Sequence, residues 1–258
     1  MPFVSLPSGA TLHYDDENSH ANGATVLLLH GMLGIPRQQL ATVIDFLAEA
    51  GYRVLAPNLR GYGLSTPKPR DFPLRFYHRD AQDVLAFCDA LNLEKVHILG
   101  YSDGGEVALV CGGVQPQRFL SVAAWGAVGY FGPDFRAVAQ RMIPGSAWLK
   151  PEELAEHGMP ADYADAFALG WVRGALAYVD AGGSVSADSA ANIRCPLLIL
   201  LGDKDKLNPP EYAQRTLQAA VNSSSARLLM FDAGHPIHEQ QPDAFRTAIL
   251  AHLRAAQP

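Results

Sequence analysis

The feature that most restricts this chain is the run Gly100-Tyr101-Ser102-Asp103-Gly104-Gly105, entered from an apolar stretch at 95–101 and left through a helix-like stretch at 103–114. A serine in a G-x-S-x-G setting between strand and helix sits on a sharp, strained turn, and any Cβ at the flanking positions would collide with neighbouring backbone. Gly100 and Gly104 satisfy that demand. The turn belongs at the end of a buried strand, so it commits the chain to alternating strands and helices. The remaining pattern agrees. Apolar runs at 25–30, 52–57, 95–101, 119–128, 196–201 and 227–231 read as strands, preceded by a shorter one at 11–14. Segments 36–50, 76–91, 103–114 and 243–254 read as helices, the first bounded by Pro36 and Gly51. This alternation predicts an α/β class, with a mostly parallel sheet flanked by helices on both faces.

One segment breaks the pattern. Residues 132–193 hold Trp148, Tyr163, Phe167, Trp171 and Tyr178, with Gly145, Gly158, Gly182 and Gly183 at expected element ends, but no convincing buried strand. It reads as an inserted helical cap, leaving 1–131 and 194–258 as the core; two further crossover helices of the main sheet are the other reading. Composition fits an ordinary soluble globular chain, 48% hydrophobic and 18% charged. Twenty Lys and Arg against 26 Asp and Glu give a net charge of −6, with no block of like charges, which disfavours nucleic acid as a partner. Cys88, Cys111 and Cys195 lie far apart and form neither a metal-ligand cluster nor a disulfide framework, so a reduced, cytoplasmic setting is expected. No export signal is visible near Met1, and no apolar run approaches the ~20 residues of a membrane helix.

A serine hydroxyl becomes a nucleophile when a base takes its proton and a carboxylate orients that base. Both partners follow later strands. Leu201-Gly202-Asp203-Lys204-Asp205 offers two acids, and Ala233-Gly234-His235 offers the base, with His238 as its rival three residues on. The order Ser, Asp, His is that of hydrolases built on a strand-end serine elbow. The helix opening at Asp103 aims its first amides, that of Asp103 included, where a tetrahedral oxyanion would form. His13, His20, His78, His97, His157 and His252 read as surface or structural residues.

The block from Arg60 to Leu109, together with Gly31-Met32-Leu33-Gly34, Arg60-Gly61-Tyr62-Gly63, Arg70-Asp71-Phe72-Pro73, Arg79-Asp80-Ala81, Ser102-Asp103-Gly104-Gly105 and Trp125-Gly126-Ala127, resembles the valacyclovir hydrolase (biphenyl hydrolase-like) group of α/β-hydrolases. The resemblance covers 26–125 and, more loosely, 195–253; it thins in 132–192. It implies an α/β-hydrolase fold and a serine hydrolase of carboxylic esters, α-amino acid esters first among them, working through an acyl-enzyme without metal or organic cofactor. It selects Asp205 over Asp203 as the acid, adds the Met32 amide as second oxyanion donor beside Asp103, and leaves His30 a structural role. It also implies that the Asp103 carboxylate grips a substrate ammonium, paired with substrate rather than with protein. On the residues alone, Asp103 equally suits a helix N-terminus. A general carboxylesterase, a carbon-carbon bond hydrolase and a non-catalytic ligand receptor are the rival readings. Dehalogenases and epoxide hydrolases carry aspartate at the elbow, so Ser102 argues against both.

Overall fold

A computed structural model describes residues 2–21 and 23–256. The core opens with strands β1 (Phe3–Ser5), β2 (Thr11–Glu17) and β3 (Thr25–Leu29), followed by helices α1 (Pro36–Gln39) and α2 (Ala41–Glu49). Then come β4 (Arg53–Pro57), α3 (Phe76–Ala90), β5 (Val96–Tyr101), α4 (Asp103–Val114) and β6 (Phe119–Trp125). Helices α5 (Phe135–Gln140), α6 (Pro151–Glu156) and α7 (Ala164–Asp180) occupy 132–193, with short 3-10 turns and, among the described residues, no strand. The chain closes with β7 (Leu197–Gly202), α8 (Pro210–Ala219), β8 (Ala226–Phe231), α9 (Ile237–Gln240) and α10 (Pro242–Ala255).

The eight strands form one sheet in the order β1-β2-β4-β3-β5-β6-β7-β8. Only β1 with β2 and β2 with β4 pair antiparallel; every other pair is parallel. Alternation along β3 shows why both faces need cover. Leu27 and Leu29 pack with Val84, Phe87 and Val107 beneath α3 and α4, while Val26 and Leu28 pack with Ile44, Phe245 and Leu253 beneath α2 and α10. Strand order reverses where β3 lies between β4 and β5. Open α/β sheets bind ligands beyond the strand ends at such a point.

The structure departs from the sequence reading in several places. The helix expected over 36–50 is broken at Leu40, whose φ of −125° and ψ of 22° are not helical. The break lets Gln39 serve two partners: its side chain accepts the Gly31 amide at 2.7 Å and its carbonyl lies 3.3 Å from His238 Nε2. The strand expected over 119–128 stops at Trp125, because Gly126 turns the chain at φ +60°. Strand β1 and helix α9, at three and four residues, are too short to show a period, and the mostly polar α8 carries no strong apolar pattern.

Candidate active site

The elbow is held as its glycines require. Ser102 has φ +53° and ψ −121°, and its amide donates to the Trp125 carbonyl at 2.9 Å. A Cβ on Gly100 would lie 2.1 Å from the Gly104 carbonyl oxygen, and one on Gly104 would lie 2.4 Å from that of His30. No side chain fits either place. Register matters as much: Leu29 pairs with Gly100, so the chain leaving β3 passes directly beside the serine. A Cβ on Gly31 would touch Ser102 Cβ at 3.0 Å.

His235 lies between Ser102 and Asp205. Its Nε2 is 3.0 Å from Ser102 Oγ and its Nδ1 is 2.8 Å from Asp205 Oδ2. The imidazole side chain keeps 21% exposure while the Asp205 carboxylate keeps 1%, so the base is reachable and the acid is shielded. Burial pushes the Asp205 carboxyl up. Hydrogen bonds from His235, the Asn208 amide and the Leu207 N–H, with the pull of the imidazole, outweigh it and hold the group below the usual carboxylate range. Asp203 is exposed and, among the described residues, accepts only the Ala233 amide, at 3.2 Å. His238 is occupied elsewhere, accepting the Trp125 indole N–H at 3.1 Å on Nδ1.

The oxyanion candidates lie on the two chains that meet at Ser102. Asp103 is the first residue of α4, where an amide has no partner within the helix. Among the described residues neither its amide nor that of Met32 donates to another protein group. His30 holds this loop from behind: Nδ1 donates to the Gly31 carbonyl at 2.7 Å while Nε2 accepts the Leu59 amide at 2.9 Å. Burial pushes the imidazole down to about 3, so it stays neutral. His157, from the helical segment, accepts the Gly63 amide and lies 3.2 Å from the Leu33 carbonyl.

A small pocket opens at Ser102, lined by Asp103, Tyr77, Glu106, Phe131, Phe135 and Trp171. Asp103 does not wait unpartnered. Tyr77 donates its hydroxyl to Oδ1 at 2.6 Å, and the Trp171 indole N–H reaches both oxygens at 3.2 Å. Both donors are neutral, and no ion pair to Asp103 forms among the described residues. Burial raises the carboxyl above its ordinary range, and these hydrogen bonds, with the more distant Arg70, oppose that rise only in part. The Asp103 carboxylate thus has two hydrogen-bond donors from the protein but, among the described residues, no ion pair. Sequence reasoning missed Tyr77 and Trp171 as pocket residues, and missed Asn208 and Glu106 altogether. Only Glu106 left a signal, an acid followed directly by the unbroken apolar and glycine run 107–114.

The arrangement can move a proton from Ser102 to His235 and gather charge on a neighbouring oxygen, which is the chemistry of acyl transfer. Known proteins agree with that chemistry. The model of the alpha/beta hydrolase family matches residues 26–248. Serine hydrolase BPHL of Mus musculus is 32% identical over 247 residues, covering 94% of this chain and 82% of the relative. Its Homo sapiens counterpart is 33% identical over 245 residues, covering 92% and 81%. In architecture, the enol-lactonase of Burkholderia xenovorans LB400 superposes with a TM-score of 0.73 at 22% identity, covering 98% of this chain and all of that one. Elbow, strand order and family match agree: the chain is a serine hydrolase that belongs to the alpha/beta hydrolase family.

Proposed function

We propose that the enzyme hydrolyses carboxylic esters of small molecules bearing an α-amino group, in two acyl-transfer steps. Ser102 Oγ attacks the ester carbonyl carbon as His235 Nε2 takes its proton. The alcohol leaves with that proton, and water, deprotonated by the same imidazole, releases the acid and frees Ser102. Asp205 holds the imidazole in its working tautomer, and the Met32 and Asp103 amides receive the oxyanion. Residues 132–193 serve as a cap over a core of 1–131 and 194–258, contributing Phe135 and Trp171 to the pocket.

The observation that carries the choice of substrate is the Asp103 carboxylate beside the nucleophile, held by two neutral donors and lacking a cation. A buried anion there opposes the forming oxyanion by several kcal/mol at an effective dielectric of about 20, unless a positive charge sits between. A substrate ammonium supplies that charge and gains a charge-assisted hydrogen bond. The test is a panel of p-nitrophenyl and benzyl esters, each made with and without a free α-amino group. At neutral pH the amino esters should show the higher kcat/KM, and the preference should fade as pH rises and the substrate amine loses its proton. Equal rates for both series at every pH would leave a general carboxylesterase.

A further inference from the structure

Helix α4 is buried along almost its whole length, yet one turn after Ser102 it carries Glu106, 3% exposed and without an ion pair among the described residues. A charged side chain in such a place is costly unless its hydrogen bonds do something for the fold or the chemistry. Its partners are specific. Oε1 accepts the Val128 amide at 2.8 Å and the Gly129 amide at 3.1 Å, and Oε2 accepts the Gly129 amide at 3.1 Å.

Those amides belong to the irregular chain after β6, and that chain supports the base. A Cβ on Gly126 would fall 2.8 Å from His235 Cε1, so the imidazole rests on this glycine. The Gly126 carbonyl accepts the Asn208 amide at 3.0 Å, and the same Asn208 nitrogen lies 2.9 Å from Asp205 Oδ2. Phe131, a little further on, lines the pocket. We propose that Glu106 is a positioning residue, whose ionised carboxylate clamps the Val128 and Gly129 amides and thereby sets the surface on which His235 and Asn208 are seated. The clamp rests on the serine hydrolase reading and is independent of the ammonium reading.

Protonation weakens such a clamp, because a proton on Oε2 faces the Gly129 N–H and removes one acceptor. The groups around Glu106 leave it near that point. Asp103 on its own helix, Tyr77 from α3 and Tyr178 from α7 are the titratable side chains coupled to it, and none is cationic. Burial first, then the Asp103 charge, raise Glu106 to about 7 against the pull of the two amides. The clamp is therefore closed above neutral pH and loosened below it.

The test uses an ester without an amino group and compares wild type with Glu106→Gln, which keeps one oxygen for the amides but places an NH2 against the Gly129 N–H at every pH. Log kcat/KM of the wild type should fall with pH through the one proton that silences the base, plus an extra ~10-fold step as Glu106 is protonated, so that its slope exceeds one only across that step. Glu106→Gln should show a slope of one, be ~10-fold slower at pH 9 and converge on the wild type in acid. In parallel, the Val128 and Gly129 amide resonances should titrate near pH 7 in the wild type and not in the variant. That readout needs no turnover, so it is separate from any failure of the serine reading. Unchanged slopes, a uniform loss at all pH values, or amide resonances that do not titrate would each reduce Glu106 to a structural acid.

Discussion

The two walls of the pocket are built by different means. Ser102, Asp205 and His235 each stand just past the end of a strand, β5, β7 and β8, so sheet register and tight turns set their positions. The helical part of the lining comes from Phe135 of α5 and Trp171 of α7, which no ladder binds to the sheet. Helix α7 lies against α3 through small residues: a Cβ on Gly174 would fall 2.7 Å from the Phe76 ring. Its polar link to the elbow is Trp171 to Asp103. On the proposed roles, the strand-end wall carries the chemistry and the helical wall carries selectivity. Changes on the first should cost rate by orders of magnitude for every ester. Changes on the second should be modest and depend on the substrate.

The largest effect should come from Ser102→Ala, with loss on the order of 10⁴- to 10⁶-fold in kcat, as for a serine nucleophile elsewhere. The fold should persist, since alanine is smaller and the strain at φ +53° rests on the backbone. Turnover retained by a folded, pure variant would remove Ser102 from the mechanism. Next comes Asp205→Asn, at about 10³- to 10⁴-fold, because an amide that can donate to His235 Nδ1 favours the wrong tautomer. Asp203→Asn should stay within ~3-fold on surface behaviour. Steady-state kinetics of the pair decides: the reverse ranking would move the acid to Asp203.

The same contrast explains what could be read in the sequence. Strands 25–29 and 96–101 are buried on both faces, so they read as unbroken apolar runs and their positions were plain. The reactive groups were legible too: Ser102 and Asp205 follow fully buried strands, β5 and β7, within a few residues, and His235 follows the partly buried β8, where the glycine before it marked the place. Loop partners were not. Asn208 is defined by loop geometry, since its side-chain nitrogen bonds the Gly126 carbonyl 82 residues away. Asp103 takes its donors from α3 and α7, 26 and 68 residues distant, and no local pattern announces such a meeting. The break at Leu40 was hidden for a related reason, since the periodicity of 36–50 continues through it while the demands of Gly31 and His238 on Gln39 decide the backbone.

Smaller, substrate-dependent effects test the contact between the elbow and the helical wall, and they test it best as a pair. Asp103→Asn keeps size and one acceptor oxygen for Tyr77 and Trp171 but removes charge, so α-amino esters should lose ~10- to 100-fold in kcat/KM, the range of a charge-assisted hydrogen bond. Esters without the amino group should be unchanged or slightly faster, because the anion beside the oxyanion is gone. Trp171→Phe keeps the ring and removes one N–H donor, held at 3.2 Å from each oxygen. That length lies at the weak limit of hydrogen bonding, which sets the expected loss near 1 kcal/mol, or ~5-fold, on amino esters alone. The carboxyl, left with Tyr77 as its nearest donor, should also rise further, since burial is then less opposed. The amino-ester preference should therefore weaken at a higher pH in Trp171→Phe than in wild type as acid is added. Equal losses on both ester series in Trp171→Phe would mean that the helical wall only fills space, and that Asp103 is set by the strand-end wall and Tyr77 without it.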